Sequence, residues 1–123
     1  MLPKSHCEAI QELITVLKGL GEEARVSEPD PTLLLTQSQK GQKILQEKFI
    51  ILNTDELAPD LASRWQLIQT EIHRELRLLA TNIIFLRSSQ SSATAQSRLA
   101  NVLEHIDKIL TACELLMQII SNK

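Results

Sequence analysis

The chain has 123 residues, 43% of them apolar types and 23% charged, which suits one soluble domain able to bury a core without staples. Its formal net charge is −2 and its pI is about 5.9, which argues against a general nucleic-acid binder, whose pI would be about 9 or more. Phe49, Trp65 and Phe85 are the whole aromatic complement, too few and too scattered to make a stacking platform for single strands.

The first segment, about 4–26, carries Ile10, Leu13, Ile14, Leu17, Leu20 and Ala24 at steps of three and four, the period of an amphipathic helix. Pro3 suits the first turn of such a helix, and Gly19 and Gly21 weaken its end. Ser27 to Thr32 (SEPDPT), with two prolines, breaks the chain. The second segment, about 32–53, has the stripe Leu34, Ser38, Gly41, Leu45, Phe49 and Leu52. Its small residues Ser38 and Gly41 predict either a marginal helix or one that lets a neighbouring backbone come close. Asn53 to Pro59 is the next break, with Thr54 and Asp55 as candidate caps.

The third segment, about 56–88, runs Leu61, Trp65, Ile68, Ile72, Leu76, Leu79, Ile83 and Leu86, and would form a rod of roughly 45 Å. A serine-rich break, Ser88 to Thr94, follows, with Thr94 as a candidate cap. The fourth segment, about 95–121, places Leu99, Leu103, Ile106, Leu110, Cys113, Met117 and Ile120 on one stripe. No segment alternates like a strand over more than a few residues. The predicted fold is all-α: one domain, 1–123, forming an antiparallel four-helix bundle with a long hairpin of the third and fourth helices.

Several chemistries lack their residues. A di-iron bundle needs Glu-x-x-His on two helices, whereas Glu71 is followed by Arg74 and Glu104 by Asp107. HExxH, CxxC and a glycine-rich phosphate loop are missing. His6 beside Cys7 is at most half a metal site, so no metal or other cofactor is expected. Cys7 and Cys113 make no disulfide framework and read as reduced core residues. The longest apolar runs, such as Phe49 to Leu52, are far too short for a bilayer, and MLPKSHC lacks the apolar core of a signal peptide. The expectation is a cytoplasmic protein that engages neither membrane nor nucleic acid. The enzyme-class alternative is a histidine phosphotransfer domain using His73. Those domains place a lysine and a glycine soon after the histidine, where this chain has Arg77 four residues on.

The third segment also has a second face. At 100° per residue, Leu67, Leu78 and Phe85 point nearly opposite to Trp65, Ile72 and Leu79, and with Glu71, Arg74 and Thr81 they form a second seam of heptad-like spacing. Either the bundle covers this seam, or it meets a partner or a second copy of the chain. Charge divides along the sequence in the same region. Residues 1–60 are net −4, while 61–103 hold Arg64, Arg74, Arg77, Arg87 and Arg98 against Glu71 and Glu75, net +3. Arginine suits bidentate contacts with carboxylates, so this helix would favour an acidic protein partner; the alternative is a solvated face with local pairs such as Glu71–Arg74.

The stretch from Arg64 to Leu79 (RWQLIQTEIHRELRLL), then Ile84 to Arg87 (IFLR) and Ala93 to Arg98 (ATAQSR), resembles the cyanobacterial heterocyst frequency control protein family, PatD. The likeness is strongest over about 61–98 and departs from the family at Leu67, where an aromatic is usual. It implies a non-enzymatic regulator that binds FtsZ, the tubulin-like GTPase of the division site. Such a regulator modulates polymer assembly and so connects division to heterocyst frequency. It would place Arg74, Arg77 and Phe85, with Arg87 and Arg98 near the hairpin turn, on the FtsZ-binding surface. A generic helical adaptor or a homodimer through the second seam is the competing expectation.

Overall fold

A computed structural model describes residues 4–26, 28–49 and 57–121. It contains four α-helices: α1 (Lys4–Ala24), α2 (Pro31–Ile44), α3 (Pro59–Arg87) and α4 (Ser92–Ser121). A π-helical turn, Leu45–Phe49, continues α2. Each helix packs on the next in chain order, and α1 closes the ring against α4. Contacts fix the directions. Lys48 Nζ, just past α2, meets Glu12 Oε1 in the first half of α1 at 2.6 Å, and Arg98 near the start of α4 lies over Phe85 near the end of α3, so α1 runs against α2 and α3 against α4. The result is the antiparallel four-helix bundle that the periodicity predicts, with no strand among the described residues.

The helix ends follow local chemistry. The Asp30 side chain accepts the Thr32 N–H at 3.0 Å, and Pro31 takes the first helical position, so the end of the SEPDPT stretch starts α2, while α1 has already ended at Ala24. In α3, Ala58 precedes Pro59 at the start, without a side-chain cap; Thr54 and Asp55 lie outside the described residues, as do Pro3 and Leu52. The cap of α4 is Ser91 and not Thr94. Ser91 Oγ accepts the Thr94 N–H at 3.1 Å, because the helix starts at Ser92 and the capping oxygen must stand just before it. The α3–α4 turn is therefore shorter than the serine-rich stretch suggests.

The core is aliphatic and continuous, and Ile10, Leu13, Leu17 and Leu20 of α1 share it with Ile72, Leu76, Leu79 and Ile83 of α3. One end is closed by rings. Trp65 is fully buried, with the His6 ring edge-on at 5.0 Å and Phe49 stacked at 6.2 Å. Ser38 and Gly41 are buried as the second-segment stripe anticipates. A Cβ on Gly41 would sit 3.3 Å from Leu76 Cδ2 and 3.6 Å from Leu13 and Leu17 methyls, so leucine side chains, and not backbone, use the space. In α4 the centre of the core lies one ladder over from the anticipated stripe. Ile106, Cys113 and Ile120 of that stripe are buried together with Val102, Ile109, Leu116 and Ile119, while Leu99, Leu103, Leu110 and Met117 flank them. A helix wedged between two neighbours buries a wider arc than one stripe.

Candidate functional site

The outward face of α3 is built by the same periodicity that builds its core face. With Trp65, Ile72, Leu76 and Leu79 turned inward, Leu67, Leu78 and Phe85 must turn outward. The fold leaves them uncovered: Leu67 is 73% exposed, Leu78 37% and Phe85 45%, and Ile84 beside them is 43% exposed. Of the two expectations for this seam, burial within the chain is therefore overturned. α3 has α2 and α4 on its flanks, and no described element packs across its outer face.

The five arginines occupy different situations. Arg74 is committed within the chain: its guanidinium pairs with Glu71 one turn back and reaches Glu75 Oε2 at 3.1 Å. The Arg74 hydrogen bond holds the Glu71 carboxyl below its ordinary range, and Glu71 in turn raises Arg74. Arg98, at the start of α4, lays its guanidinium 4.7 Å from the centre of the Phe85 ring, joining the two helices across the hairpin tip. Arg64, Arg77 and Arg98 have no carboxylate partner among the described residues. Arg87 is exposed in the last turn of α3, but two residues past Phe85 it is turned about 200° around the helix, away from the seam. The fold thus gathers Arg74, Arg77, Phe85 and Arg98 on one surface and sets Arg87 apart from it.

Under this surface lies a buried polar contact between α3 and α4. Glu75 Oε1 and His105 Nδ1 are 2.6 Å apart, with Glu75 almost fully enclosed. Burying a carboxylate is costly unless it is paired, and Arg74 and His105 supply the pairing. Sequence reasoning missed this contact. Its signal was a glutamate on the core ladder, three residues after Ile72 and four before Leu79.

Two concavities adjoin the seam. A shallow one on α3 is lined by Thr70, His73, Arg74, Arg77, Leu78 and Thr81. A larger groove between α3 and α4 is walled by Glu71, Glu104 and Asp107, with Lys108 and Leu115 at its edge. Lys108 and Arg25 sit on Glu104 and Asp107 at 3.4 and 3.9 Å, so these carboxylates are already paired. His73 is exposed among the arginines. His6 packs on Trp65, and no cluster of three or more metal-ligating side chains occurs among the described residues. Cys7 and Cys113 are free thiols, and burial, with help from Glu114, pushes Cys113 up to about 12. No described helix is long and apolar enough to cross a membrane.

Compared with protein-family models, characterised proteins and solved structures, the chain matches none. The site therefore rests on its own geometry. That geometry is an uncovered apolar strip edged by unpaired guanidinium groups, with neither a deep pocket nor a nucleophile–base pair on it. Chemically, such a surface can exclude water against apolar side chains and bind carboxylates at its margin.

Proposed function

We propose that the chain is a non-enzymatic regulator that acts by protein–protein contact through the outer face of α3. Its partner is FtsZ, whose polymer assembly it modulates, linking division to heterocyst frequency. The observation that carries the contact surface is the exposure of Leu67, Leu78 and Phe85 on one face of a rigid helix, with Arg98 seated on Phe85. Large apolar side chains grouped on a surface mark interaction sites, and aromatic and arginine side chains dominate interface energetics. The choice of FtsZ rests on the likeness of the Arg64–Leu79, Ile84–Arg87 and Ala93–Arg98 stretches to the PatD family. Arg74, Arg77, Phe85 and Arg98 contribute from the shared surface, whereas Arg87, turned away from it, does not.

Co-sedimentation with FtsZ polymers tests this reading. The wild-type chain should pellet with polymer, less so as salt rises. Arg77→Glu combined with Arg98→Glu should weaken pelleting about tenfold through lost charge complementarity. Arg74 is a poorer probe, because reversing it also strips Glu75 of a partner. A wild-type chain left in the supernatant would remove the partner. Equal pelleting of wild type and the double variant would remove the site.

A further inference from the structure

The outer face of α3 holds a regular repeat. Leu67, Glu71, Arg74, Leu78, Thr81 and Phe85 follow one another at intervals of four, three, four, three and four residues. This is the spacing by which one helix presents a seam to another, and from Leu67 to Phe85 it extends about 27 Å. We propose that this seam receives an amphipathic α-helix of a partner protein, with acidic residues bordering its apolar stripe. The inference rests on the reading of this face as a partner surface and specifies what docks there.

Three features select that occupant. First, α3 offers side-chain knobs and holes but no free backbone edge, since its N–H and C=O groups are used within the helix; an added strand would find nothing to pair with. Second, the seam is bordered by two arginines without a described carboxylate partner, while the acidic side chains of the adjoining α3–α4 groove, Glu104 and Asp107, are already paired with Lys108 and Arg25. Arg77 borders it on one side and Arg98 on the other, neither ion-paired among the described residues. The Glu71–Arg74 pair inside the seam satisfies itself and provides a polar register mark. Third, the seam repels its own copy. An antiparallel pairing that sets Leu67 against Phe85 brings Arg77 of both copies together about the two-fold axis, and a parallel pairing sets Arg77 and Arg98 against their equivalents. An acidic helix avoids both conflicts.

The probe is a fluorescein-labelled synthetic helix of about three heptads, with Leu at a and d and Glu at e and g. Its anisotropy is titrated against the full chain. Tighter binding than the same peptide with Lys at e and g, by about tenfold, is expected, together with weakening as salt rises. Leu78→Glu or Phe85→Glu should abolish it. Both positions are exposed, and unchanged far-UV circular dichroism shows that the fold is intact. Equal binding of the Glu and Lys peptides overturns the proposal, as does no binding of either, or a chain whose seam is hidden in a homodimer by light scattering. Binding to anionic vesicles in place of the peptide also overturns it. Peptide binding without FtsZ pelleting retains the helix and removes FtsZ; FtsZ pelleting without peptide binding does the reverse.

Discussion

Single side chains show how burial assigns roles to chemically similar groups. Glu71 and Glu75 are one turn apart on α3, yet Glu71 is solvated and pairs locally with Arg74, while Glu75 is enclosed against His105. Four residues of helix rotate a side chain by about 40°, enough here to carry a carboxylate from the surface to the α3–α4 seam. The cysteines divide similarly: Cys7 is half-buried, whereas Cys113 is in the core and its thiol is pushed from 9.0 to about 12. A raised thiol pKa stabilises the fold below the unfolded-state value, and this stabilisation is lost as pH rises towards the folded-state value. The stability gap between wild type and Cys113→Ala should therefore narrow above pH 9.0. The slope is at most about 1.4 kcal/mol per pH unit. Urea unfolding of both proteins across that range measures it, and a constant gap would contradict the assignment.

At the scale of the helix, two glycines on neighbouring elements have opposite meanings. Gly19 in α1 has nothing within 4 Å of where a Cβ would stand, whereas Gly41 in α2 is pressed by Leu76, Leu13 and Leu17. Gly19→Ala should stabilise the protein by about 0.5–1 kcal/mol, because it removes the backbone-entropy penalty at no steric cost. Gly41→Leu should destabilise it by about 2 kcal/mol through overpacking. Urea midpoints of the two variants decide this, and a stabilising Gly41→Leu would mean that α2 stands further from α3 than described. Helix α4 shows a related contrast. Its 3–4 apolar period announced a helix, but two adjacent ladders, through Val102 and through Leu103, satisfy that period equally. Packing against both α1 and α3 centred the core on the Val102 ladder.

For the whole molecule, the bundle separates a ring-closed end from a cationic end. Trp65, His6 and Phe49 lock α1, α3 and the turn after α2 together at one end, while Phe85 and Arg98 mark the other. As the single tryptophan, Trp65 reports assembly of three elements at once. In a cooperative two-state unfolding, its emission and far-UV helicity should therefore change with the same midpoint in urea. An earlier tryptophan transition would show that the α3–α4 hairpin outlasts the packing of α1 and α2 upon it. Arg77 lies about three turns along α3 from Trp65 and Arg98 at the other end of the bundle, so the charge variants at these two positions should leave that midpoint unchanged.

Periodicity and breaking residues by themselves determined four helices, their approximate limits and the inward stripe of α3. These follow from local rules: a 3.6-residue repeat, two prolines between Ser27 and Thr32, and serines after Arg87. The same arithmetic placed Leu67, Leu78 and Phe85 on a second face. Only the tertiary structure decided that this face is uncovered, that Arg74 is spent on Glu71 and Glu75, that Arg98 sits on Phe85, and that Arg87 stands apart. It also decided that Glu75 meets His105, thirty residues away. The physical reason is that helical repeat says where a side chain points around its own axis, whereas burial and pairing depend on which neighbour stands there, and non-local packing sets the neighbour.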